Sequence, residues 1–244
     1  NAAEFIIYDR KLSDSEREQV KNYLLNKWSS PVEATDGWVE GTTRTITTPS
    51  GTDRVLVVAA GYEDNPANPI TNITYGGQAL TEIQQISSGT SFYNGISLWY
   101  LNDSDIEAAS NTTLVVTHQN AGVNHTDVAS AVYTGIDQTS PIYDSTVIDD
   151  GQSGLPNLET SLDVTNGGLT IIAGQSGNTG TFDTNLTNVV SESGSGTSQV
   201  VGVQLEPSDQ SSRTISINHS NPFRMVLAGV HFRSSTLPEV THFS

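Results

Sequence analysis

Residues 53–65 read Asp-Arg-Val-Leu-Val-Val-Ala-Ala-Gly-Tyr-Glu-Asp-Asn, a continuous apolar run from Val55 to Ala60 between charged and polar ends. A strand with one wet face alternates apolar and polar side chains, whereas a run apolar at every position fits a central strand covered on both faces. Met225-Val226-Leu227-Ala228-Gly229-Val230 has the same character. Around these two lie runs at 43–48, 70–75, 96–101, 113–118, 128–133, 169–173, 200–205 and 213–217, each rich in Val, Ile, Thr or aromatics and bounded by turn residues. Some of them alternate, as in Thr214-Ile215-Ser216-Ile217. About ten strands with no helix pattern between them predict an all-β fold, a jelly-roll-like β-sandwich. The one helix candidate inside this body is a short turn over 103–109, with Ser104 or Asp103 as its cap.

Composition supports the class. Only 15% of the 244 residues are charged, and the formal net charge is −17, from 27 Asp plus Glu against 10 Lys plus Arg. A field of that sign repels phosphate backbones and anionic lipid headgroups, so no nucleic-acid partner and no membrane-surface binding are expected. No stretch approaches the roughly 20 apolar residues of a membrane span. The start, Asn1-Ala2-Ala3-Glu4, lacks the basic and apolar regions of a signal peptide, so a mature or excised chain is expected. The chain has no cysteine, which removes disulfides and thiolate chemistry. Asn-x-Ser/Thr triplets begin at Asn72, Asn102, Asn111, Asn124, Asn185 and Asn218, as chance generates in a sequence rich in Asn and Thr.

The first thirty residues read differently. Residues 3–9 form a short run of β formers, and Ser13 with Glu16 three positions on has the capping-box pattern ahead of Val20, Tyr23, Leu24 and Trp28 at helical spacing. One strand and one helix cannot bury their own faces and must pack on something else. The string AEFIIYDRKLSDSEREQVKNYLLNKW over 3–28 resembles the closing strand and helix of concanavalin-like, laminin-G-type jelly rolls, a likeness that implies a multi-module extracellular context. Ser29-Ser30-Pro31 reads as a linker. The expected organisation is therefore 1–30 as a remnant of a preceding module, 31–235 as a β-sandwich module, and 236–244 as a tail. The strand at 4–9 is also a candidate for completing a neighbouring sheet.

The body carries a resemblance of its own. DRVLVVAAGYEDN, ITNITYGGQALTEI, GISLWYLND, ASAVYTGIDQTSPI and FRMVLAGVHFRS, within 38–233, are similar to a jelly-roll module recurring in secreted bacterial and phage proteins of many architectures. That resemblance implies an accessory or adhesive role, a secreted or cell-surface location, and no assigned activity.

Catalytic signatures are scarce. No Glu-x-Asp-x-x-Glu string is present, and Glu63-Asp64 would point to opposite sides of a continuing strand, which is wrong for a hydrolytic dyad. Gly151-Gln152-Ser153-Gly154 and Gly174-Gln175-Ser176-Gly177 lack the spacing of a serine elbow. His118, His125 and Asp127 do not have transition-metal spacing. Structural calcium at Glu63, Asp64 and Asn65, where an apolar strand ends, is the metal candidate, set against a solvated turn; Asp149-Asp150 is a lesser one. For sugar recognition, which uses aromatic platforms flanked by amides and carboxylates, Phe92-Tyr93-Asn94 is the leading group, with Tyr62, Phe182 and Trp38 behind it. Trp99 and Tyr100 lie within a strand, one as core and the other covering a neighbouring segment. The expected function is a carbohydrate-binding, non-catalytic module whose partner is a polysaccharide or glycan. The alternatives are a structural or adhesive module contacting neighbouring modules or subunits, and a hydrolase with an unrecognised site.

Overall fold

The computed structural model describes residues 10–13, 16, 17, 20, 32–194 and 196–235, leaving aside the side chains of 32–36. Within the first thirty residues the capping box is formed: the Ser13 N–H donates to Glu16 Oε2 at 2.7 Å and the Glu16 N–H to Ser13 Oγ at 3.3 Å. Bonds from Arg10 first, then Ser13, hold the Glu16 carboxyl down at about 2. The strand expected at 4–9, most of the helix after Val20, and the tail at 236–244 lie outside the described residues.

From residue 32 the chain is a stack of four antiparallel sheets. The first central sheet has the order β1-β9-β3-β7-β6, from Val32–Glu40, His125–Tyr133, Val55–Asp64, Tyr93–Asn102 and Thr81–Gly89. An outer sheet, β2-β8-β4-β5, covers one of its faces with Thr43–Thr45, Thr113–His118, Ile70–Tyr75 and Gln78–Ala79. The second central sheet is β10-β17-β12-β15-β14, from Ile142–Asp149, Val226–Phe232, Leu169–Ser176, Thr197–Leu205 and Asn188–Gly194. Its outer sheet is β11-β16-β13, from Asn157–Val164, Gln210–His219 and Phe182–Thr184. With the two-residue β5 set aside, the second half repeats the connectivity of the first strand for strand. The all-β sandwich expected over 31–235 is thus two jelly-roll-like sandwiches joined back to back.

This repeat explains the continuous apolar runs. Val55, Val57 and Ala59 of β3 enter the core shared by the two central sheets, while Leu56, Val58 and Ala60 enter the core under the first outer sheet. Likewise Val226, Ala228, Val230 and Phe232 of β17 face the shared core, and Leu227 faces the second outer sheet. Strands β3 and β17 are each covered on one face by the opposite central sheet and on the other by their own outer sheet.

Two sequence signatures acquire a physical role. Tyr75-Gly76-Gly77-Gln78 is the two-residue turn of the β4–β5 hairpin, with φ of 55° and 89° at its glycines, the left-handed pair such a turn requires. The string TGIDQTSPI carries the chain from one half to the other. In it, Asp137 Oδ1 accepts the Thr139 and Ser140 N–H groups at 2.7 and 3.1 Å, which draws the carboxyl below the usual range. Gln138 donates to the Arg54 carbonyl at 3.1 Å and accepts the Asp103 N–H at 2.9 Å. It thereby satisfies an open donor at the start of α1 (Asp103–Ala108). The capping expectation is corrected here: the cap residue is Asn102, which makes no side-chain cap bond, and the Asp103 carboxylate binds Arg54 at 2.5 Å instead.

Candidate functional site

Strand alternation makes the interface between the two central sheets change character along its length. Following β3 on the face toward the second half, Val55, Val57 and Ala59 give way to Gly61 and Glu63. Facing and neighbouring strands change at the same end: β12 from Ile171 and Ala173 to Gln175, β15 from Val201 to Gln199, and β7 from Ile96 to Asn94. Asn94, Asp127, Gln175 and Gln199 at the polar end are buried and cross-linked. Gln175 Nε2 donates to Asn94 Oδ1 at 2.6 Å and to the Tyr62 carbonyl at 3.2 Å, and Asn94 Nδ2 donates to the Arg224 carbonyl at 2.9 Å. Gln199 Nε2 donates to Asp127 Oδ2 at 2.5 Å, and the same oxygen holds His125. That bond, chiefly, raises the His125 pKa against the opposing effect of burial. A Cβ at Gly61 would sit 1.8 Å from Gln175 Oε1, so any other residue there would displace the Gln175 amide from its bonds.

Two hollows lie along this interface. The larger, 620 Å³, is a wedge between the central sheets beneath β14, lined chiefly by aliphatic side chains such as Val57, Ala129, Ile171 and Val203. The smaller, 340 Å³, opens among loops at the polar end and is lined by Glu63, Thr90, Ser91, Phe92, Gln152, Phe223 and Arg224. The first half supplies the β6–β7 loop and the end of β3; the second supplies the β10–β11 and β16–β17 loops. Phe92 and Phe223 are 49% and 41% exposed, so each presents much of a ring to solvent.

The architecture of this cleft is specific. Gly89, at φ 151°, closes the β6–β7 hairpin so tightly that a Cβ would lie 2.1 Å from the Phe92 carbonyl oxygen, and this fixes where Phe92 emerges. Gln152 and Arg224, both cleft residues, have φ of 64° and 50°, a strained conformation for residues other than glycine that persists only where surroundings enforce it. The enforcement is visible. Asp150 Oδ1 accepts the Gln152 N–H at 2.8 Å, and Asn94 grips the Arg224 carbonyl. Arg224 Nη2 donates to Glu63 Oε1 at 2.6 Å, and the guanidinium lies over the Phe223 ring with its carbon 4.9 Å from the centroid. Arg224 Nε and Nη1 are buried without an acceptor among the described residues.

The residues expected to bind ligand are not all in one place. Phe92 is in the cleft. Tyr93 is half-buried and shares strand parity with Trp99, which places it on the face toward the outer sheet. Asn94 is 0% exposed and is used internally, so it is a positioning residue rather than a contact. Tyr62 is buried edge-on against His118, and burial raises its phenol pKa. Trp38 is buried in the shared core and donates from Nε1 to the Val190 carbonyl at 3.4 Å, tying the first half to β14. Phe182 packs on His219 at 4.4 Å beside the third core. A platform role for Tyr62 and Trp38 is corrected by burial. Trp99 is the core residue of its pair, and Tyr100 packs edge-on against Phe232.

The expected calcium ligands do not fit that ion. Glu63 and Asp64 lie on opposite faces, and Glu63 is ion-paired to Arg224. Asp64 accepts the Asn65 N–H and Asn124 Nδ2 on Oδ1 and Asn68 Nδ2 on Oδ2, each at 2.8 Å. Both of its oxygens point at N–H donors, where a cation would be repelled. Asp149 and Asp150 bind the N–H groups of their own loop, at Gly151, Gln152 and Gly154. Sequence reasoning missed Phe223 and Arg224, for which the signal was an Asn-Pro-Phe turn just ahead of an apolar strand. No family model matches this chain, and no similar protein was found among curated proteins or solved structures.

Proposed function

We propose that this chain is a non-catalytic, extracellular accessory module of a larger secreted or surface protein, and that it binds polysaccharide in the cleft between its two halves. The observation that carries the reading is the pairing of two half-exposed phenylalanine rings, Phe92 and Phe223, around a hollow whose floor holds a carboxylate and a guanidinium. Apolar ring faces suit the C–H faces of pyranoses, and a few fixed polar groups supply orientation. The cleft volume falls in the ordinary range of small-ligand sites, on the order of 300–1,000 Å³. Its strands and buried amides hold the loops in place before any ligand arrives, which lowers the ordering cost of binding.

The test is retention of the chain on a panel of immobilised polysaccharides. Selective retention that is lost in Phe223→Ala and in Phe92→Ala, with unchanged unfolding curves, is expected. Retention of none of the panel contradicts the reading.

One observation favours a structural or adhesive role as a second reading. Strand β14 ends its sheet, every described side chain in it is exposed, and Val189 and Val190 are 43% and 40% exposed. An open apolar edge of this kind can pair with another strand. Concentration-dependent self-association abolished by Val190→Lys would support it; a monomer at all concentrations would count against self-pairing.

A further inference from the structure

We infer that the ligand segment seated in this cleft is a neutral pyranose rather than an acidic or amino sugar, an inference that rests on the glycan reading above. Among the described residues lining the cleft, Glu63 and Arg224 are the only ionised side chains, and they are paired with each other at 2.6 Å. The site therefore offers neither a free cation for a uronate or sulfate nor a free anion for an ammonium group. Drawing Arg224 onto a ligand carboxylate would strand Glu63, whose side chain is only 17% exposed, as an uncompensated charge.

The guanidinium is also poorly placed to receive an anion. It is covered by the Phe223 ring and rests against Gly177, where a Cβ would lie 2.6–2.9 Å from its atoms. Its Nε and Nη1 are shielded from solvent. Its role is to hold Glu63 in place: Nη2 occupies Oε1, which leaves Oε2 as an acceptor for a ligand hydroxyl. The hydroxyls of Thr90 and Ser91 and the amide of Gln152 complete a lining suited to hydroxyl groups, and Phe92 and Phe223 face C–H surfaces. The net charge of −17 acts in the same direction against acidic polymers, repelling polyanions from the whole surface, while the pairing of Glu63 is what argues against an amino sugar in the cleft.

The experiment is interferometry of the full chain over surfaces of neutral polysaccharides (a mixed-linkage glucan, a xyloglucan, a galactomannan), acidic ones (a polyuronate, a sulfated galactan) and a polyglucosamine, each at low and high salt. Binding to at least one neutral polysaccharide is expected, changed less than about twofold by salt because no ion pair forms across the interface. Phe92→Ala and Glu63→Gln should each weaken it about tenfold, the size of one lost stacking or charged hydrogen-bond contact. Binding confined to the acidic or amino polymers and abolished by salt overturns the inference while leaving the glycan reading intact. Binding to neither class overturns both.

Discussion

The two ends of the interface between the halves are built from the same strands and the same strand faces, yet they do different work. At one end Val57, Leu98, Ile171 and Val230 meet as hydrocarbon; at the other Gln175, Asn94, Asp127, Gln199 and Arg224 meet as a hydrogen-bonded network. The apolar end derives its stability from non-directional burial, and the side chains lining its hollow of 620 Å³ forgo part of their dispersion contact. At the polar end partners matter individually: most buried donors and acceptors are paired, and Gln175 Oε1 and Arg224 Nε and Nη1, which have no partner among the described residues, carry a cost. In exchange it fixes geometry, which is what a binding cleft requires. The comparison teaches that one sheet pair can hold a module together at one end and orient its loops at the other.

Three single substitutions, two of them paired with a compensating change, would break or sharpen that contrast, each measured by equilibrium denaturant unfolding. The largest effect is expected at the apolar end, where Leu98→Ala should cost about 3–4 kcal/mol, because the side chain is fully buried in the shared core. Next comes Arg224→Met, at about 2–3 kcal/mol, since it strands Glu63; the double variant Glu63→Leu/Arg224→Met should recover more than half of that loss. Additive effects in that cycle would show that the polar end is not a coupled network. Gly61→Ala should cost about 1–3 kcal/mol by driving Gln175 from its bonds, and Gln175→Ser in the same chain should relieve the clash.

The smallest effect is the dependence on pH. His125 is raised above its ordinary value by Asp127 and by Glu40, 3.4 Å from Nδ1, so its contribution is fully present below about pH 6.5 and is lost as pH rises through the raised folded value. His231, in the core of the second half, is lowered to about 4 by burial, so its contribution runs the other way: stability falls as pH drops from about 6.5 toward 4. His125→Gln should flatten the profile above about pH 6.5 alone, and His231→Gln the profile below about pH 6.5 alone. A profile unchanged by His125→Gln would remove protonation from the account of the polar end.

How much of this was legible follows from where each residue sits. All ten apolar runs overlap strands, with Ile70–Tyr75 and Thr113–His118 matched at both ends and the run at 43–48 on a strand only to Thr45, because buried strands must be written in apolar residues. Strands β1, β5, β6, β10, β11, β13 and β14 escaped, since edge and outer strands such as Asn-Val-Val-Ser-Glu-Ser-Gly face water on at least one side and carry polar sequence. The repeat of connectivity was hidden because VLVVAAGYED of β3 and LTIIAGQS of β12 share an apolar pattern that any central strand would have. Phe92 stood out as an aromatic in a loop. Phe223 and Arg224 did not, because the partner half brings them to the cleft from a position more than half the chain away.

A cleft shared by both halves is the central claim, and nuclear magnetic resonance of isotope-labelled chain titrated with neutral oligosaccharides tests it most directly. The account predicts that one such ligand shifts the amides of residues 90–92 and of Phe223 and Arg224 together, at a single saturable concentration, while Val189 and Val190 stay unmoved. Shifts confined to one half, shifts centred on β14, or no shift with any oligosaccharide would contradict it.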